Sequence, residues 1–467
     1  MVNWHEEVVK RKDELINDLF GLLQIESVKD EQTKTAEHPM GAKIGEALQY
    51  VLNLSEKAGF DTKNIDGFAG HGQYGSHDNA TNIGVLCHVD VVPATGTWTS
   101  PPFEPAIRAG KIYARGAIDD KGPTIAAFYG LKIVKELGLP LSKNVRIIFG
   151  TDEESGMSCM RHYKEVENMP AVGFAPDADF PIIHAEKGQI NVKLTVANDG
   201  SAEQSSIELV SFEAGNRINM VPERAKVVLK GATEQLHKDF MAFCDQEGLQ
   251  YNIDSGDSEL ELTLFGVSAH GMEPHIGLNA GTTIATFLQN YDVQQDAITF
   301  LQFIATLHKD YEGNNLGITY CDDLTGPLTV NPGILSYQKG SENVVYLNIR
   351  CPVSTNYEQT KNQLKATIEE KGFRITDLRQ SNPHHVDGDH PMIHALQKAY
   401  QEETGLEPTL LSTGGGTYAR FMEKGVAFGA CFPGKEMTAH QKDEYIEVED
   451  LLKATAIYAR AIYELAK

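Results

Sequence analysis

His88 and Asp90 stand two residues apart at the end of an apolar run, Asn82 to Cys87, and they are the first residues of this sequence placed to do chemistry. A strand whose carboxyl end carries polar side chains delivers them into the crevice where open α/β sheets hold their ligands. An imidazole beside a carboxylate there suits a metal site, although His-x-Asp alone fits a surface or capping histidine as well. A second run, Val145 to Phe149, leads straight into Asp152-Glu153-Glu154. Three successive acids at a strand end repel one another unless cations neutralise them; a solvated acidic loop is the plain alternative. A third run, Val172 to Ala175, delivers Asp177.

Two further segments belong with these. Asp119 and Asp120 precede a helical run, Ile125 to Leu137, with Pro123 at its start. They fit metal binding and also fit an acidic helix start favoured by the dipole. His440 follows another strand, Val426 to Cys431. Together His88, Asp119, Glu153, Glu154, Asp177 and His440 supply two imidazoles and four carboxylates. That set fits two nitrogen/oxygen metal sites sharing one bridging carboxylate, with one acid left over as a base. Cys87, inside an apolar strand, reads as a small core residue rather than a nucleophile.

The elements that must position these groups alternate in type. Apolar residues recur at helical spacing from Trp4 to Leu23, from Ile44 to Leu52 before Gly59, from Met392 to Glu403 and from Val448 to Leu465. Val91 to Gly116, rich in Pro, Gly and Thr, reads as one long ordered loop. From about Gln189 the texture changes to alternating strands: Ile190 to Val196, Ile207 to Val210, Arg224 to Leu229 and Leu260 to Phe265. Ala225 to Gly248 and Val344 to Gly372 share a strand-turn-helix pattern, which points to an α+β insert with an internal duplication. At His384 and His385 the chain returns to the first domain; these, His390 and His394 read as loop and helix-start residues. Gly414-Gly415-Gly416 lets backbone N–H groups approach an anion, but without the GK[ST] of a phosphate-binding loop.

Composition narrows the partners. The 467 residues carry 41 basic and 65 acidic side chains, a net charge of -24, which repels phosphate backbones and excludes nucleic acid as an expected partner. No apolar run approaches the roughly 20 residues that span a bilayer, and the first residues lack a secretory apolar core. Six scattered cysteines without a CxxC pair fit reduced thiols in the cytoplasm.

The segments HVDVVP, RGAIDDKGP, GTDEESG, APDADFP, SAHGMEPHIGLNA, GGGTYAR and AHQKDEYI, in that order along the chain, resemble the dinuclear metallopeptidases that include aminoacylase, glutamate carboxypeptidase and carnosinase, and most of all the PepV-type bacterial dipeptidases. The resemblance implies a zinc-peptidase-like α/β/α sandwich made of residues 1–188 and 385–467, with an inserted α+β lid at 189–384. It makes His88 and Asp177 ligands of one metal, Glu154 and His440 ligands of the other, Asp119 the bridge, Asp90 the partner that orients His88, and Glu153 the general base. It implies an oxyanion donor in His270, and substrate contacts at Asn219, Arg350 and the backbone of Gly416, with Asn216 an alternative to Asn219. Two divalent ions per chain are expected, zinc first, manganese or cobalt next. The expected enzyme is a cytoplasmic, monomeric dipeptidase acting on short peptides with a free amino terminus. An N-acyl amino acid deacylase or carboxypeptidase and a noncatalytic metal- or peptide-binding protein are the alternatives.

Overall fold

A computed structural model describes residues 2–75, 82–197, 205–256 and 258–467. They form two compact units, one comprising Met1–Ala185, His385–Ser412 and Gly416–Lys467, the other Glu186–His384 and Thr413–Gly415. The sequence reading assigned 413–415 to the catalytic part; here that short glycine segment is grouped with the inserted unit.

The first unit is built on a mixed sheet containing β1 (Asp61–Ile65), β2 (Ala69–Tyr74), β3 (Asn82–His88), β4 (Asn144–Gly150), β5 (Val172–Ala175) and β6 (Ile182–Glu186). Its order is β1-β2-β4-β3-β5, then Lys424–Ala427, then β6. β4, β3 and β5 are adjacent and parallel, so their carboxyl ends emerge side by side. Alternation splits their side chains between two cores. Ile83, Val85, Cys87, Val145, Ile147, Phe149 and Phe174 face one core, which they share with helices Lys12–Leu23, Lys121–Glu136 and Val448–Ala466. Leu86, Ile148 and Ala175 face the other, with Cys159, Met160 and Tyr163 of helix Ser158–Val166. A sheet covered on both faces explains why these strands read as continuous apolar runs.

Three local expectations change. The helical pattern from Trp4 to Leu23 is two helices, Trp4–Val9 and Lys12–Leu23. At the break the Arg11 guanidinium, not its backbone N–H, takes the Glu7 carbonyl at 2.6 Å, while the Arg11 N–H bonds Val8. The segment Val91 to Gly116 is not all loop: Ala106–Arg108 and Lys111–Tyr113 form a hairpin, joined by Tyr445–Glu447 as a third strand. Its two-residue turn, Ala109-Gly110, has φ of 48° and 77°, the left-handed pair that matches strand twist. Strands of three residues are too short for alternation to show in a Pro- and Gly-rich context. The run from Val426 to Cys431 is likewise interrupted, as Lys424–Ala427 and Ala430–Cys431.

The second unit has an eight-stranded sheet. Its strands are β7 (Gly188–Val196), β8 (Glu208–Ala214), β9 (Arg224–Lys230), β10 (Gln250–Ser255), β11 (Glu259–Phe265), β12 (Thr329–Gln338), β13 (Val344–Cys351) and β14 (Phe373–Ser381), in the order β10-β11-β9-β8-β12-β13-β7-β14. The order is mirrored about the β8/β12 pair. On one side β8 and β9 lead through helix Glu234–Glu247 to β10, with β11 between β9 and β10; on the other, β12 and β13 lead through helix Tyr357–Glu370 to β14, with β7 between β13 and β14. Each helix buries one stripe on the sheet, Leu236, Phe240 and Cys244 in the first and Thr360, Leu364 and Ile368 in the second.

One buried chain of polar groups has a consequence for stability. Arg146 donates to the Tyr163 hydroxyl at 3.1 Å, and that hydroxyl meets His71 Nδ1 at 2.9 Å. Burial, reinforced by the Arg146 charge, pulls the His71 imidazole down to about 4. The folded chain therefore resists a proton that the unfolded chain accepts near 6.5, so this contribution is complete above pH 6.5 and is lost as the pH falls toward 4. Its size is about 3 kcal/mol. Denaturant unfolding measured at intervals from pH 7 to 4 should show stability declining through this window, and His71→Gln should flatten that decline.

Candidate metal centre

The three parallel strand ends bring the chemistry together. His88 is the last residue of β3 and is in register with Gly150 of β4; Glu153 and Glu154 follow in the next turn. Asp177 lies two residues beyond β5. Asp119 comes from the turn before helix Lys121–Glu136, and His440 from a loop, with a left-handed φ of 63°. His88 Nε2 lies 3.0 Å from Asp119 Oδ1 and 3.7 Å from Asp177 Oδ2. His440 Nε2 lies 3.0 Å from both Asp119 Oδ2 and Glu154 Oε2. Asp119 thus turns one oxygen to each imidazole. Donor atoms of His88, Glu153 and Asp177 lie within 4.8 Å of one another, and so do those of His88, Asp119 and Glu154.

The groups behind this cluster are tied to backbone. His88 Nδ1 meets the main-chain carbonyl of Asp90 at 2.9 Å, while the Asp90 carboxylate is 3.5 Å away. That carboxylate accepts instead from the N–H groups of Glu153 and Glu154, at 3.2 Å each. Asp90 therefore spans β3 and the acidic turn, holding the histidine through its carbonyl and the turn through its side chain. Asp120, joined to Asp119 by a cis peptide, accepts from the His88 N–H at 3.0 Å and from Thr124 at 3.1 Å. Lys121 turns away and gives its ammonium to the carbonyls of Leu22 and Ile25 at the end of helix Lys12–Leu23.

The side chains of Asp119, Glu154 and Asp177 are only 14%, 10% and 16% exposed. Burial raises Glu153 well above the usual carboxylate range, with Asp177 adding to it; burial and the Asp119 charge push Glu154 up to about 7. Asp177 is raised by the same two causes. Burial opposes ionisation of Asp119 as well, but the bonds from His440 and His88 outweigh it and hold that carboxyl low. His440 is correspondingly lifted to about 11 against the effect of burial, by Asp119 and Glu154. Four acids with two imidazoles as their close counter-charges form a donor set of oxygen and nitrogen atoms that fits divalent cations.

The remaining residues singled out in the sequence belong to the second unit, apart from Gly416. His270 accepts the Met272 N–H at its Nδ1, 3.3 Å away, which leaves the ring proton on Nε2. Its loop pairs with the Asn219 segment through Gly271 N–H to Asn219 O at 2.7 Å. Arg350 is 3% exposed, with Nε on Asn348 at 2.8 Å and a terminal nitrogen on the Gly414 carbonyl at 2.9 Å. Asn348 in turn bonds Asn191 at 2.6 Å on the neighbouring strand. Asn219 and Asn216 are both exposed. Sequence reasoning passed over Arg115 and Glu444, a buried ion pair beside Asp119, and Tyr418, whose ring stands edge-on to His88 at 6.2 Å. RGAIDDKGP, GGGTYAR and AHQKDEYI contain them, but one acid in an acid-rich loop carries no mark of its burial.

The model for peptidase family M20/M25/M40 matches residues 84–464. A Bacillus subtilis (strain 168) protein named "Putative dipeptidase YtjP" is 47% identical over 471 residues, covering 100% of both chains. "Putative dipeptidase" from Staphylococcus epidermidis (strain ATCC 12228 / FDA PCI 1200) is 41% identical, covering 99% of each. Among solved structures, human carnosine dipeptidase 1 shares the fold, with a TM-score of 0.61 at 14% identity over 99% of this chain and 98% of that one. No helix among the described residues is long and apolar enough to cross a membrane.

If the cluster is a cation site, neutralising its acids should stabilise the folded chain. Zinc, manganese or cobalt added after chelation should raise the melting temperature. Asp177→Asn, which removes one crowded charge, should raise the melting temperature of the chelated protein and shrink the increment gained from metal. A melting temperature that ignores all three ions would contradict this.

Proposed function

Because the chain belongs to peptidase family M20/M25/M40, we propose that it is a metal-dependent dipeptidase that hydrolyses short peptides with a free amino terminus. The observation that carries the reading is Asp119, with one oxygen on His88 and the other on His440, between acids delivered by the two strands that flank β3. In this reading His88 and Asp177 would hold one divalent ion and Glu154 and His440 the other, with Asp119 as the ligand the two would share. When bound, such a pair acidifies water and polarises the scissile carbonyl.

The chain's own residues do the rest. Glu153, beside the ligands and raised by burial, takes the proton of the attacking water and returns it to the leaving amine. His270 presents Nε2–H as donor to the oxygen that gains charge in the tetrahedral transition state; its Nδ1 bond to Met272 supports that tautomer. Arg350, held by Asn348 and the Gly414 carbonyl, receives the substrate carboxylate with the backbone of Gly416, and Asn219 contacts the peptide. Asp90 orients His88 and the acidic turn together. In this reading residues 189–384 form the lid over the catalytic domain, and zinc is the first choice of metal, with manganese or cobalt able to use the same donors. The mirrored sheet of the second unit supports a monomer, since one chain carries both halves. Six cysteines without a disulfide among the described residues support a cytoplasmic setting.

Three measurements test the proposal. Glu153→Gln should retain two metals and lose about 10²- to 10⁴-fold in kcat; loss of a metal instead would make Glu153 a ligand, as its closeness to His88 and Asp177 allows. His270→Ala should lower kcat about 10²-fold or more at unchanged metal content. With the wild-type enzyme, one dipeptide offered unblocked and N-acetylated should be cut only in its unblocked form. Preference for the acetylated form would identify a deacylase.

A further inference from the structure

Glu444 is 0% exposed and Arg115 1%, a charged pair buried beside the cluster. One Glu444 oxygen accepts from the N–H groups of Ile118 and Asp119, at 3.0 and 3.2 Å, and the other meets the Arg115 guanidinium. The Glu444 carbonyl accepts from Ala114 N–H at 3.1 Å, and the residues after it, Tyr445–Glu447, pair with Lys111–Tyr113. Arg115 stacks over Trp98, 5.2 Å from the ring centroid, and its backbone N–H bonds the Pro102 carbonyl. Its Nε has no hydrogen-bond partner among the described residues. A buried pair left partly unbonded is a poor way to gain stability, because the cost of desolvating two charges offsets their attraction.

Its place in the chain gives it another use. Glu444 lies four residues after His440, and its carboxylate grips the backbone of Asp119. These two ligands come from loops, whereas His88 ends one strand held in the sheet and Asp177 follows another. We infer that Glu444, with Arg115 behind it, is a positioning residue that fixes the Asp119 and His440 loops to each other, and so secures the metal held by Glu154, His440 and Asp119, two of whose ligands stand on those loops, more than the metal held by His88 and Asp177, which has only Asp119 there. The inference rests on the two-metal reading given above. It assigns Glu444 no contact with substrate.

Metal binding, read apart from turnover, tests it. Chelated wild type and Glu444→Gln are titrated with cobalt, following the visible spectrum and competition with a chromophoric chelator. Wild type should take up two ions. Glu444→Gln should bind the second ion about 10- to 100-fold more weakly, the range found when a partner of a metal ligand is lost, and weaken the first, which shares only Asp119, by clearly less. Because that variant strands the Arg115 charge, the double variant Arg115→Met, Glu444→Gln is measured beside it: its melting temperature should recover while the second site stays weak. Thr99→Val removes the exposed bond from the Thr99 hydroxyl to the neighbouring Asp443 carboxylate, 2.9 Å, keeps the one from the Thr99 N–H at 2.8 Å, and should leave both affinities alone. Wild-type affinity for both ions in the single and double variants would overturn the tie, as would equal weakening by Thr99→Val. A wild type binding fewer than two ions would overturn the dinuclear reading and the tie with it.

Discussion

Repulsion among acids gathered at one sheet edge is the constraint on which the rest of this structure depends. Glu153, Glu154 and Asp177 arrive after the two parallel strands that flank β3, and Asp119 is brought in from the turn before helix Lys121–Glu136. At 10% to 16% side-chain exposure, Asp119, Glu154 and Asp177 are poorly screened by water. A chain that needed only a stable sheet would not place them there. The surroundings then make sense as restraints: Asp90 holds the acidic turn by two N–H groups, Asp120 holds the His88 backbone, and Glu444 holds that of Asp119. Each restraint is itself a carboxyl group accepting backbone N–H groups, so the positions are fixed without a side-chain cation inserted among the donors.

Much of the centre was legible in the sequence because strand ends announce themselves. A continuous apolar run ending abruptly in His88, in Glu153-Glu154 or in Asp177 gives both the element and the polar residue it delivers, and parallel neighbours then bring those residues together. His440 and Asp119 were harder: neither ends a strand, and their mutual distance of 3.0 Å follows from loop conformation and not from any period. The three-residue hairpin strands at Ala106–Arg108 and Lys111–Tyr113 were missed because a strand that short shows no alternation. The role of the Asp90 side chain was also not visible. A carboxylate two residues from a histidine reads as that histidine's partner; here the imidazole meets the Asp90 carbonyl at 2.9 Å and its carboxylate at 3.5 Å, and the same carboxylate also accepts from the next strand's turn.

The second unit shows what pattern alone can and cannot convey. The two strand-helix segments were recognisable as alike, yet the mirrored strand order depends on which distant strand fills the gap in each half. In one half it is β11, which follows β10 directly; in the other it is β7, more than 150 residues before β14. Local periodicity is blind to that choice, since both fillers are ordinary amphipathic strands. The pairing of β7 with β13 also sets Asn191 opposite Asn348, and this register turns Asn348 into the support that holds Arg350.

The two kinds of restraint imply a division of labour within the centre. His88 and Asp177 emerge from strands that share a ladder and cannot move apart without breaking it. Asp119 and His440 have no such ladder, and His440 sits in a left-handed backbone conformation that a histidine adopts at some cost. Their geometry must come from side chains, and a buried carboxylate reaching two successive N–H groups is a stiff way to supply it. The same reasoning accounts for a buried arginine behind Glu444: without that charge, enclosure would favour protonating the carboxylate, and a protonated group would hold the Asp119 loop less firmly.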